Sequence, residues 1–218
     1  MKTSILEPLT AAPYFTIESV KQLWPDANVK DATLRTALYR WMKRGQIIQL
    51  KKGLYMTRRF FELHRADPDF SPAVSAILLP QSYVSLEYVL QRHAVLTEIT
   101  YPVSCVTSKN TRVIQNPLGT FSYRHIRSDL YHGFSIASYY GILFAQASAA
   151  KALFDYLYLR PAHSGLTSPG FSLTEALRLN IEDFSPADRE EFAGYISGSH
   201  SPKMDSILNN LRKTIWRT

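Results

Sequence analysis

Residues 31–45 read Asp31-Ala32-Thr33-Leu34-Arg35-Thr36-Ala37-Leu38-Tyr39-Arg40-Trp41-Met42-Lys43-Arg44-Gly45, and residues 46–57 continue Gln46-Ile47-Ile48-Gln49-Leu50-Lys51-Lys52-Gly53-Leu54-Tyr55-Met56-Thr57. In the first stretch Leu34, Ala37, Leu38, Trp41 and Met42 recur at i, i+3, i+4, i+7 and i+8, the spacing of a helix with one buried stripe. Asp31 stands where an N-cap belongs and Gly45 where the chain must leave the helix. Thr33, Arg35, Thr36, Tyr39, Arg40 and Lys43 fall on the opposite side, a mix of charge, hydroxyl and aromatic groups able to meet phosphates and base edges. In the second stretch two strand-like runs flank Lys51-Lys52-Gly53, and the glycine supplies the positive φ of a tight hairpin. A basic amphipathic helix followed by a lysine-tipped hairpin predicts a winged helix-turn-helix.

The preceding residues fit that expectation. Ile5, Leu6 and Leu9 predict a helix over 3–12 that Pro13 stops, and Thr16 with Ser19 predicts the cap of a second helix ending at Pro25. Val20, Leu23 and Trp24 share its inner face, and Asp26-Ala27-Asn28 predicts a turn. Charge is concentrated here. Between Lys30 and Arg59 nine basic residues face one acid, so the segment carries +8 of a chain whose total is +7, and the remainder is nearly neutral. That is the footprint of a protein meeting a polyanion in one place. The expected DNA-contacting residues are Thr33, Arg35, Thr36, Tyr39, Arg40, Lys43 and Arg44 on the helix, Lys51 and Lys52 on the hairpin, and Arg58 beside it.

Beyond residue 61 the pattern changes. Asp67-Pro68-Asp69 and Ser71-Pro72 mark turns within a connector that also holds a helix, and a helix is expected over Tyr83–His93 with Leu86, Val89 and Leu90 inward. Val103–Thr107, Arg112–Gln115 and Thr120–His125 read as strands, with Asn116-Pro117-Leu118-Gly119 turning between the last two. Ser148–Arg160 reads as a helix, 161–172 as a Pro/Gly/Ser-rich loop, and Leu173–Leu179, Ala187–Ile196 and Lys203–Trp216 as further helices. Strands followed by helices predict an α+β fold rather than alternating βαβ units. The expected organisation is an N-terminal winged helix-turn-helix domain over 1–61 and a larger mixed C-terminal domain over 62–218. Lys109, Arg112, Arg124 and Arg127 form a second, sparser basic cluster. It reads either as a solvated sheet face or as a partner surface.

No catalytic site is expected. Asp67 and Asp69 have the spacing by which nucleotidyltransferases hold Mg²⁺, but no Gly-Ser or Gly-Gly turn precedes them to hold a triphosphate. The six His are scattered, the single Cys105 cannot build a zinc ribbon, and neither a P-loop nor a nucleophile elbow occurs, so no metal or cofactor is expected. One cysteine fits a reducing cytosol, and no apolar run reaches the ~18–20 residues that span a bilayer, so a cytoplasmic protein is expected.

Several strings resemble a known family. Thr33 to Ile47 followed by Leu50-Lys51-Lys52-Gly53-Leu54-Tyr55 is similar to the start of the AbiEi family, antitoxins of bacterial type IV toxin–antitoxin and phage abortive-infection systems. Gln81 to Glu87 resembles the family's PSYVSLE string. Val106 to Arg112 and Asn116 to Ile126 resemble its central β segment, and Lys151 to Leu159 resembles its EKALLDLLYL helix. Ala149-Ala150 stands where the family usually has Pro-Glu. The resemblance implies an antitoxin that represses its own operon by binding inverted repeats in promoter DNA and opposes a nucleotidyltransferase-like toxin, whether or not by direct contact. The rival reading is a winged-helix transcriptional regulator with a ligand-sensing C-terminal domain; a third is an enzyme or RNA-binding protein.

Overall fold

The computed structural model describes residues 5–97, 102–162, 164–165 and 171–217. Residues 3–4 of the first expected helix, and 163 and 166–170 of the expected loop, lie outside them. Among the described residues the strands form two sheets, and the fold is α+β.

The first part begins with a 3-10 turn, Pro8–Ala11, rather than the expected helix; Pro8 and Pro13 leave too little room for an α-helix between them. Strand β1, Phe15–Thr16, leads into α1, Ile17–Gln22. Thr16 caps α1 as expected, in a reciprocal capping box with Ser19. Val20 is buried there, whereas Leu23 is exposed because α1 ends before it. Helix α2, Asp31–Lys43, follows, then the hairpin of β2, Ile47–Lys51, and β3, Leu54–Thr57. Asp31 does not cap α2; it is the first helical residue, with Lys30 before it and no side-chain bond closing the end. Gly45 leaves the helix at φ +67°. The strands order as β1-β3-β2, all antiparallel. Leu34 and Leu38 of α2 pack with Val20, Phe15, Ile47 and Tyr55 into a small core on one face of this sheet. Its other face turns to the rest of the protein. Leu50, Met56 and, just past the hairpin, Phe60 belong to the main core, so apolar packing runs across the 61/62 boundary.

Helix α3, Arg58–His64, and helix α4, Phe70–Leu78, follow. Ser71-Pro72, read as a turn, lies inside the first turn of α4, where proline sacrifices no helical hydrogen bond. Strand β4, Ser82–Val84, occupies what was expected to be a helix start, and α5 runs only Leu86–Arg92. Leu86, Val89 and Leu90 are buried, as expected. Next come β5 Val103–Thr107, β6 Arg112–Asn116 and β7 Gly119–His125, close to their expected bounds. The hairpin of β8, Phe134–Tyr139, and β9, Ile142–Ala147, was not anticipated. Helices α6 Ala149–Leu159, α7 Leu173–Leu177, α8 Pro186–Ser199 and α9 Pro202–Thr214 complete the chain.

The large sheet orders as β6-β7-β5-β4-β9-β8, with β5–β7 and β4–β9 parallel and the other neighbours antiparallel. Successive strand residues point to opposite faces. In β7 the Tyr123 hydroxyl donates to the Ser75 carbonyl of α4 (2.9 Å), while Arg124 donates to the Leu159 carbonyl of α6 (2.6 Å). Helix α4 therefore covers one face and α6 the other, with α5, α8 and α9 packed around α6. Cys105 lies on the α4 face, fully buried, and burial pushes its thiol up to about 12. At pH 8 the thiolate fraction is then on the order of one in ten thousand. Ellman's reagent should release no colour from the native protein and one equivalent after denaturation; prompt native labelling would contradict the buried placement.

At the centre sits a buried ion pair. Lys151 Nζ and Asp155 Oδ1 are 2.8 Å apart, one turn apart on α6, and both side chains are fully buried. Asp155 Oδ2 accepts from Tyr83 (2.9 Å) and Ser85 (2.7 Å) on the sheet side. Lys151 also donates to the Leu130 carbonyl (2.9 Å), and its ammonium lies 4.8 Å from the Phe154 ring centre and 5.1 Å from that of Tyr195. Burial pulls both groups toward their neutral forms, and the pairing opposes that pull.

Candidate nucleic-acid interface

Burial of Leu34 and Leu38 fixes the rotation of α2 and turns Thr33, Arg35, Thr36, Tyr39, Arg40 and Lys43 outward, all exposed. Arg44 follows at the exposed C-terminal end of the helix. Among the described residues none of Arg35, Arg40, Lys43 and Arg44 makes an ion pair with a carboxylate. Tyr39, 56% exposed, lies under the Lys43 ammonium (5.6 Å), a pairing that leaves both groups at the surface. Thr36 spends its hydroxyl proton on the Ala32 carbonyl (2.8 Å) and keeps its oxygen free to accept. The face therefore offers unneutralised cations, one phenol and hydroxyl oxygens along one side of a helix.

The hairpin departs from the expectation. Its register slips between Gln49 and Lys51, a bulge that leaves Leu50 unpaired. A bulge adds one residue and redirects the side chains around it. Leu50 enters the main core, and Lys51 swings toward α4, where its ammonium donates to the carbonyls of Ile77 (3.0 Å) and Leu78 (2.8 Å). A cation closing the carbonyl end of a helix is favourable. Partial burial lowers the Lys51 pKa from its ordinary value. Only Lys52 remains exposed in the two-residue turn, next to Gly53 at φ +82°. Lys51→Ala should lower stability by about 1–3 kcal/mol, since two carbonyls lose their donor. Urea denaturation reads this directly, and an unshifted midpoint would show that the capping bonds contribute nothing.

Other basic residues are also engaged. Arg58 is half-buried and its Nε points at the Gly45 carbonyl (3.4 Å), while Arg59 faces Glu7 (3.4 Å). Of the nine cations between Lys30 and Arg59, Lys51, Arg58 and Arg59 thus have internal partners. In the second expected cluster, Lys109 and Arg112 are exposed, Arg124 donates to α6, and Arg127 pairs with Asp129 (2.7 Å) and donates to the Ser199 carbonyl. The four do not share one free surface. Lys203, on the last helix, caps α6 through the carbonyls of Leu157, Tyr158 and Arg160.

The acidic pair considered for metal is built differently. Asp67 accepts from the Tyr139 hydroxyl (2.6 Å) and bonds His64 (3.0 Å), which hold its carboxyl below its ordinary pKa, while Asp69 pairs with Arg92 (3.2 Å). Among the described residues no group of three or more His, Cys, Asp or Glu could hold a metal ion, and no helix is long and apolar enough to cross a membrane. No protein-family model matches the chain, and no curated protein shows significant similarity to it.

Proposed function

We propose that this chain is a DNA-binding antitoxin that represses its own operon and counters a nucleotidyltransferase-like toxin. The observation that carries the DNA-binding part is the outward face of α2, with Arg35, Arg40, Lys43 and Arg44 exposed and unpaired by carboxylates beside the exposed Lys52. We read the succession of β1, α1, α2 and the β2–β3 hairpin, with β1 beside β3, as a winged helix-turn-helix in which α2 is the recognition helix. Thirteen residues make a rod of about 20 Å, long enough to lie along a major groove. The antitoxin part rests on the resemblance to the AbiEi strings, and the larger C-terminal part is then available for that second task.

The test is a fluorescence-anisotropy titration of the protein on its own upstream duplex and on a scrambled duplex, at rising salt. Four or five phosphate contacts give a log–log salt slope of about −4. The upstream duplex should bind more tightly at every salt concentration; equal affinity for both would sink the autorepressor role. Co-expression with the toxin from the adjacent reading frame should restore growth, and failure of the intact protein to do so removes the antitoxin role while leaving DNA binding untouched.

A further inference from the structure

Between the two parts of the protein lies a crevice of about 760 Å³. Its lining includes Tyr14 and Leu54, Ile77 of α4, Pro80 just beyond that helix, and Tyr140 and Leu143 of the β8–β9 hairpin. The volume is that of a small-molecule site, and such sites favour junctions of this kind. The lining is mostly apolar and aromatic, with Thr16 and one charged residue, Lys51. Leu143 is 68% exposed and Tyr140 55%, so apolar surface stands open at the mouth.

Lys51 makes the crevice selective. Its ammonium has three protons, and two are committed to Ile77 and Leu78. No carboxylate pairs with it among the described residues, and no acidic residue lines the crevice. A half-buried ammonium held by two neutral carbonyls lacks a counter-charge, and the apolar walls around it weaken competition from water. An anion with an apolar body meets both demands: its carboxylate takes the third proton and its body covers Leu54, Tyr140 and Leu143.

We propose that this crevice binds an apolar monocarboxylate, with the carboxylate on Lys51 and the hydrocarbon body against the lining that includes Tyr14 and Tyr140. The site stands whether or not duplex DNA is the protein's other ligand, because it is measured on the free protein. Its occupant touches Lys51, one residue from the exposed Lys52, and would brace the hairpin against the β8–β9 turn.

Isothermal titration of the full chain with octanoate tests it, with octanol as the neutral counterpart of the same length. Octanoate should bind saturably at one site, and octanol about tenfold or more weakly, because it cannot offer the charge-assisted bond. Leu143→Glu places a like charge at the mouth on an exposed side chain that the fold does not need, and should weaken octanoate by a similar factor. Thermal unfolding of Leu143→Glu without ligand confirms that it is folded. Absence of saturable binding, octanol binding as tightly as octanoate, or unchanged octanoate affinity in folded Leu143→Glu would each overturn the proposal.

Discussion

Lys151→Met should cost about 3–5 kcal/mol. Methionine keeps most of the buried volume, so a cavity is a minor part of the effect. The loss comes from Asp155, which stays fully buried with Oδ2 still held by Tyr83 and Ser85 but with Oδ1 and its charge deprived of Lys151. Asp155→Asn should cost nearly as much, since it strands the Lys151 ammonium against the Leu130 carbonyl and two aromatic rings. Domains commonly have only 5–15 kcal/mol in hand, so either change consumes a third or more of that stability. In urea the midpoint should fall by about 1–2 M. The double variant Lys151→Met/Asp155→Leu should lose less than the singles Lys151→Met and Asp155→Leu added together, because no unpaired charge remains and what loses a partner is neutral, the Tyr83 and Ser85 hydroxyls and the Leu130 carbonyl. Strict additivity would mean that the groups act independently, and a wild-type midpoint for Lys151→Met would mean that the pair is not closed in solution.

That pair also marks the limit of what the residues disclose on their own. Lys151 and Asp155 stand at i, i+4 on a helix whose apolar stripe is plain in the sequence, and Asp155 alone suggests a buried pairing acid. Nothing local says that the lysine lies on the buried side with it, because the Tyr83 and Ser85 hydroxyls that hold Asp155 come from β4 and the residue after it, 72 and 70 positions away. Periodic segments were legible for the converse reason. In α2 the stripe alone decides which side is buried, whereas α6 is buried at every position from Ala150 to Leu157, and β5 to β7 announce themselves by β-branched and aromatic runs with a Pro-Gly turn between two of them. The helix expected over Tyr83–His93 takes in Tyr83 and Val84 of β4 because Ser82–Val84 runs into α5 without Gly or Pro, the break falling at Leu86 with φ +57°. Strand β8 is an edge that mixes Ser135, Ala137 and Ser138 with the exposed Ile136, and its alternation is weak. At the candidate interface the exposed face of α2 follows from its stripe, whereas the bulge at Leu50 that turns Lys51 inward has no signature in Gln49-Leu50-Lys51. The internal roles of Arg58, Arg124 and Lys203 depend likewise on helix ends brought to them by the fold.

The inward turn of Lys51 divides the basic segment into members that predict different binding behaviour. Lys52→Ala should weaken binding to the upstream and scrambled duplexes alike and make the salt slope shallower by about 0.9, the loss of one phosphate contact. Lys51→Ala, measured where the protein remains folded, should leave that slope nearly unchanged, because its ammonium is spent on α4. Arg35→Ala and Arg40→Ala remove guanidinium groups from the face that would enter the groove. Each should cost about 1–3 kcal/mol on the upstream duplex if it reads a base, and less on the scrambled one, so the preference itself erodes. Both side chains are exposed, and their loss should leave the denaturation midpoint near that of the parent. A pair of parallel titrations, upstream against scrambled duplex for each variant, separates the outcomes. A uniform loss for Arg35→Ala and Arg40→Ala would reduce α2 to a phosphate-binding element and move sequence preference elsewhere. A slope for Lys51→Ala as shallow as that for Lys52→Ala would mean that the Lys51 ammonium leaves the carbonyls of α4 when duplex binds. The hairpin would then exchange one partner for the other, a coupling between the two parts of the protein that the free structure keeps closed.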